Sequence, residues 1–191
     1  MDALMNKIRN TYDFSEYELK VIRYVITALL YDLSKLILLA VMFYYMNRII
    51  YFICALIPFC LLRGKNGGIH TKNYWTCLLL TIAVFIPTVV VLPSIAPLTP
   101  MLRIGLMIPC AITEYLLGPL LSHREVKLDQ KGIQRNRLAS FQVVLIVAIL
   151  LFLFPECPYL FASFWMVILH TVQLAITKIY KEVKSYEQNK A

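Results

Sequence analysis

The chain has 191 residues, enough for one compact domain and hardly two; 60% of them are hydrophobic and 16% charged, with a mean hydropathy of +0.68. A soluble protein of this size could not hide so much apolar surface, and the same numbers exclude disorder, collagen, coiled coil and a disulfide-stapled secreted scaffold. The net charge of +8 comes from 19 Lys+Arg against 11 Asp+Glu. Its positive residues fall between apolar runs, the mark of an all-α polytopic membrane helix bundle rather than of a nucleic-acid partner.

In chain order, residues 1–23 are polar and mixed in charge, without the apolar core of a signal peptide. Leu4, Met5, Ile8, Tyr12, Leu19 and Ile22 recur among the charges at roughly helical spacing. That fits an amphipathic cytoplasmic leader at the interface, with a solvated leader as the equal alternative. Six apolar segments follow: Tyr24–Met46, Ile49–Leu62, Tyr74–Leu92, Met101–Leu121, Leu138–Phe154 and Tyr159–Thr177. A spanning helix needs about 20 apolar residues, so the second segment is short and could be half of a re-entrant hairpin. A polar tail, 178–191, completes a single membrane domain over 1–191.

Lysines and arginines concentrate on alternate connections. Residues 1–24, 63–74, 122–137 and the tail hold 16 of the 19, while the Pro-rich stretch Pro93–Pro100 and the turn Pro155–Pro158 hold none. The alternation predicts six spans with both termini and the 63–74 and 122–137 loops in the cytoplasm. A four-span chain, with segments two and three as a hairpin, would leave the count almost unchanged.

Five cysteines, an odd number without a CxxC, indicate neither a disulfide framework nor a metal knuckle. Cys54, Cys60, Cys110 and Cys157 sit in or beside apolar runs as small hydrophobes. Cys77 differs. It closes the stretch Arg63-Gly64-Lys65-Asn66-Gly67-Gly68-Ile69-His70-Thr71-Lys72-Asn73-Tyr74-Trp75-Thr76-Cys77, at a cytoplasmic loop–span junction. Imidazole can take a thiol proton, and the cations Arg63, Lys65 and Lys72 favour the thiolate that results. The Gly67-Gly68 pair lets the backbone bend and come close to a substrate. On an unbroken helix His70 and Cys77 would stand about 10 Å apart along the axis. A dyad therefore requires His70 to lie outside the helix that carries Cys77. By spacing alone, a solvated loop His and a packed Cys account for the pair better than catalysis does.

Other polar groups fall within the apolar segments. Asp32 and Lys35, three apart, can pair with each other. Glu114 in the fourth segment could orient His70, line a substrate groove or snorkel. His170 and Gln173 suggest an interhelical hydrogen bond. The charges from Ser122 to Arg137, among them Lys127, Lys131 and Arg135, read first as an orientation signal and second as a docking surface for an acidic peptide. No metal-ligand spacing, phosphate loop or nucleotide fingerprint is present, so no cofactor is expected.

The run Arg63…Gly67-Gly68-Ile69-His70…Cys77 resembles the signature of the accessory gene regulator B (AgrB) family, bacterial membrane cysteine endopeptidases that process quorum-sensing propeptides. Length, polar leader and apolar pattern are similar over nearly the whole chain, and the basic loop Gly118–Arg137 loosely so. The resemblance implies His70 and Cys77 as the catalytic pair, and it matches Arg63 and Gly68 to the family's Arg and second Gly. It implies cleavage of a small propeptide through a Cys thioester, followed by cyclisation to a thiolactone or lactone, at the cytoplasmic side of a bacterial cell membrane. Family substrates carry an amphipathic N-terminal helix and an acidic C-terminal tail, which a basic face also touching anionic lipid would suit. A homodimer is left open. The alternative is a non-enzymatic transporter or exporter of a small peptide, with Asp32, Lys35 and Glu114 as its polar pathway.

Overall fold

A computed structural model describes residues 16–67, 73–95, 98–120 and 129–188. Every regular element among them is helical: α1 (Glu16–Tyr45), α2 (Ile49–Asn66), α3 (Tyr74–Ile86), α4 (Leu92–Ile95), α5 (Pro100–Leu117), α6 (Gln130–Leu153) and α7 (Pro158–Gln188). A π-helical turn, Pro87–Val91, joins α3 to α4 without a break. Pro87 offers no N–H to the ladder, and the ladder widens there until Leu92 donates to the Pro87 carbonyl. Among the described residues five stretches are long and apolar enough to cross a membrane: Ile49–Asn66, Tyr74–Ile95, Pro100–Leu117, Gln130–Leu153 and Pro158–Val183. The protein is thus a polytopic helical membrane protein. Five expected segments fall on these stretches, and Tyr24–Met46 falls on α1.

The ends of the segments need correction. α1 begins by Glu16, so the end of the expected leader is continuous with the first apolar segment. α2 runs past Leu62 to Asn66, which makes the short segment 18 residues long, about 27 Å at 1.5 Å per residue. Arg63 and Lys65 belong to its last turn rather than to a loop, where basic side chains suit the negative end of the helix dipole. α6 begins at Gln130, capped by Asp129, whose carboxylate accepts from the Gln130 N–H at 2.8 Å. Lys131 and Arg135, expected in a loop, therefore lie on its first two turns. The expected tail is helical to Gln188. Polarity marks where a helix meets water; caps decide where it stops.

The chain forms two compact units, 1–42 and 43–191. In the first, Lys35 Nζ donates to Asp32 Oδ1 at 2.8 Å, the expected pairing. The second opens on the end of α1, where Asn47 takes a left-handed φ of 55°. There Arg48 N–H donates to Phe43 O and Asn47 N–H to Tyr44 O, closing the last turn as a Schellman motif. Within this unit α2 packs mainly on α7 and α5 mainly on α6. Leu62, Met107, Cys110, Val144, Val147, Leu151, Phe164 and Val167 fill the space between these four helices. The Phe85 ring fits α3 against Phe52 and Phe59 of α2, with centroids 5.2 and 5.0 Å away.

Many large apolar side chains point outward, Ile57, Leu79, Ile108, Ile146, Phe152 and Ile176 among them, as lipid-facing surface should. Arg103, a cation off the alternating pattern, is buried at the end where α5 begins and α6 ends. Its guanidinium donates to Leu98 O at 2.9 Å and Pro155 O at 3.0 Å and lies 4.2 Å from the Phe161 ring centroid.

Candidate functional site

At the opposite end of the unit, α2 stops in a way that only glycine serves well. Gly67 has a φ of 78°, its N–H donates to Arg63 O at 3.0 Å, and a Cβ there would stand 3.0 Å from the Leu120 carbonyl oxygen. Leu120 in turn donates its N–H to Asn66 O at 2.9 Å. The Asn66 side chain is wholly buried. Its Nδ2 donates to the Glu114 backbone carbonyl at 3.2 Å and to Glu114 Oε2. Asn66 Oδ1 is buried and has no hydrogen-bond partner among the described residues.

Glu114, one turn from the end of α5, is 0% exposed. Its Oε1 lies 2.8 Å from His170 Nδ1 and 3.0 Å from Thr171 Oγ1, both on α7. One carboxylate thus joins α2, α5 and α7. The arrangement extends to the segment after α5. A Cβ on Gly118 would collide with the Asn66 carboxamide, and the Gly118 carbonyl accepts from Arg137 Nε of α6 at 2.7 Å. Glu114 therefore does not snorkel, and its described partners are Asn66, His170 and Thr171. The interhelical bond expected of His170 is the one it makes to Glu114.

α3 is preceded by Asn73, which is extended and caps the helix by accepting from Trp75 N–H on Oδ1 at 3.3 Å. Cys77 follows in the first turn, 5% exposed, its N–H donating to Asn73 O at 3.1 Å. Its carbonyl accepts from Thr81 Oγ1 at 2.8 Å. This is the positive end of the helix dipole, where negative charge is favoured. Trp75, 67% exposed, has its ring 5.6 Å from that of Tyr74, a pair of the kind that settles at a membrane–water boundary.

Arg63 holds its guanidinium 5.3 Å from the Phe59 ring centroid. Lys131 and Arg135 are exposed and share a face of α6, four residues apart. Gly68, His70 and Lys127 lie outside the described residues. The fold thus gathers Gly67 and Glu114 at one junction, with Arg63 on the last turn of α2. It adds Asn66, Gly118, His170 and Thr171, none of which the sequence pointed to as part of a site, and Arg137, which the sequence offered only within a docking surface. Asn66 stands inside the motif run, but its partner is 48 residues away, and spacing along the chain carries no trace of it. Among the described residues no group of three His, Cys, Asp or Glu could hold a metal ion.

The profile of a family described as accessory gene regulator B matches residues 1–174, which takes in α1 to α6, the α2–α3 connection and the buried cluster around Glu114. No curated relative and no solved structure matches the chain.

Proposed function

The chain belongs to the accessory gene regulator B family, which places it in the processing of quorum-sensing peptides, and from that membership we propose that it is a membrane cysteine endopeptidase with Cys77 as nucleophile and His70 as base. His70 takes the Cys77 proton, and the thiolate attacks the carbonyl carbon of the scissile bond in a small propeptide. The tetrahedral intermediate collapses, the C–N bond breaks, and the imidazolium returns its proton to the leaving amine of the C-terminal fragment. The N-terminal part stays on Cys77 as a thioester. An internal thiol or hydroxyl of the peptide then attacks that thioester, expels the Cys77 thiolate and closes a thiolactone or lactone ring. Exchange of one thioester for another is nearly balanced in energy, so limiting water at the site keeps the bond for cyclisation.

The observation that carries this reading is where the helices end. α2 stops at Asn66 and α3 starts at Tyr74, so the seven residues from His70 to Cys77 are not two turns of one helix. The roughly 10 Å separation that a continuous helix would impose does not apply. Arg63, Gly67 and Gly68 belong to the same junction. Lys131 and Arg135 present a basic face to the acidic propeptide tail and to anionic lipid, with Lys127 close to them in sequence, on the cytoplasmic side of the bacterial cell membrane. The polar groups a transporter would expose are engaged with one another, Asp32 with Lys35 and Glu114 with Asn66, His170 and Thr171.

Cys77→Ala and His70→Ala should each abolish propeptide cleavage while the protein still inserts and purifies as a folded species. Alanine at Cys54, Cys60, Cys110 or Cys157 should leave cleavage in place. Near-normal cleavage by Cys77→Ala refutes the mechanism.

A further inference from the structure

The buried Glu114 cluster has no part in the acyl transfer above. Ionisable groups at membrane depth are expensive, and an apolar residue of similar volume is often at least as stabilising as a buried charge. A carboxylate kept there calls for a role beyond filling space, and its position indicates one. Both hydrogen bonds of the Asn66 amide nitrogen go to Glu114, one to its backbone carbonyl and one to its carboxylate. The Asn66 carbonyl is fixed from the other side by Leu120 N–H. Gly67 is held in the left-handed region with its N–H on Arg63 O, and Gly118 leaves the gap that the Asn66 side chain occupies. The peptide unit after Asn66 is held by Leu120 and Arg63, the Asn66 side chain is anchored to Glu114, and Glu114 is set by His170 and Thr171 of α7.

His70 follows Gly67 by three residues, and three residues reach at most about 11 Å. Where and in which direction Asn66–Gly67 leaves α2 therefore limits where His70 can be. We propose that Glu114, held by His170 and Thr171 and acting through Asn66, is a positioning residue that sets the take-off of the α2–α3 connection and so brings His70 to Cys77. The proposal rests on His70 and Cys77 being the reacting pair. Glu114 touches neither substrate nor thiol in this role; it works by fixing backbone.

The test uses the full chain in detergent micelles with iodoacetamide as the thiol probe, reading the rate of Cys77 alkylation at pH 7 by mass spectrometry of the Cys77 peptide. An unassisted thiol is only a few per cent thiolate at that pH, so His70→Ala should slow alkylation by about tenfold. Glu114→Ala and Asn66→Ala should each slow it in the same direction by at least about threefold. Glu114→Gln, which keeps an acceptor for Asn66 and can donate to His170, should regain most of the loss. The double variant Glu114→Ala/His70→Ala should be no slower than His70→Ala alone, because the residue acts through His70.

If His70→Ala leaves the rate unchanged, the dyad itself fails. If His70→Ala slows alkylation while Glu114→Ala and Asn66→Ala do not, the dyad stands and the positioning role is overturned. Glu114→Gln as slow as Glu114→Ala, or a further loss in the double variant, also overturns it. A lower melting temperature with an unchanged alkylation rate assigns the cluster to stability alone, which again overturns the proposal.

Discussion

Gly118→Ala tests the cluster through sterics alone, since it adds one methyl group and removes nothing. Gly118 has a φ of −76° and a ψ of 163°, which alanine adopts freely, so the backbone gives no reason for glycine. By lowering the entropy of the unfolded chain, alanine should even add about 0.4–1 kcal/mol of stability. The obstacle is Asn66, whose carboxamide atoms are the three nearest to the new Cβ, all well inside contact distance. Asn66 must swing away and give up both bonds from Nδ2. A neutral hydrogen bond contributes about 1 kcal/mol and one to a carboxylate about 1.5–3 kcal/mol. After the entropic offset, the net loss should be about 2–3 kcal/mol. Equilibrium unfolding in mixed micelles measures it, in the wild-type background and in Asn66→Ala, which removes all three obstructing atoms. In the second background the substitution should cost nothing or stabilise slightly, a coupling of about 2.5–4 kcal/mol. The same loss in both backgrounds would refute the reasoning, because the cost would then not run through Asn66.

Two further outcomes concern the basic face proposed to be cytoplasmic. A cysteine placed at Lys127 should resist an impermeant thiol reagent applied to intact cells and react once the membrane is opened, whereas one placed in Pro155–Pro158 should react from outside; strong outside labelling at position 127 contradicts the orientation. Reversing Lys127, Lys131 and Arg135 to Glu should raise KM for the propeptide more than it lowers kcat, since exposed charges act over a Debye length of about 8 Å at physiological salt; an unchanged preference for an acidic over a neutralised tail leaves these residues as an orientation signal alone.

Much of the fold is legible in the sequence because lipid imposes a coarse and strong rule. An all-helical chain crosses a membrane only as long apolar helices, so the cores of the segments are plain from hydropathy. The ends are not. Hydropathy stops at Leu62, but α2 stops at Asn66, where Gly67 takes a positive φ. Hydropathy resumes at Leu138, but α6 starts after Asp129, whose carboxylate caps it. Such stops depend on one dihedral or one side-chain bond, which composition averages away. The same division holds at the site. The run from Arg63 to Cys77 is local and reads as a motif. The contacts of Glu114 join residues 48, 56 and 57 positions apart, and a lone sequence offers several partners for such a carboxylate without choosing among them.

The placement of charge at the helix ends separates two kinds of basic residue that a loop count treats alike. Arg63 and Lys65 sit at the C-terminal turn of α2, where a cation meets the negative end of the dipole and gains about 0.3–1 kcal/mol at an exposed site. They help to hold the helix they end. Lys131 sits in the first turn of α6, against the positive end, and Arg135 stands four residues on along the same face, a like-charge spacing that costs about 0.2–0.5 kcal/mol. Asp129 offsets part of this at the cap. Helix stability alone would favour an acidic residue at position 131, which would also pair with Arg135. Two exposed cations that the helix disfavours as a pair are open to something outside it: the membrane that fixes orientation or, as proposed above, an acidic tail that docks there. Only the second is sensitive to the charge of the propeptide.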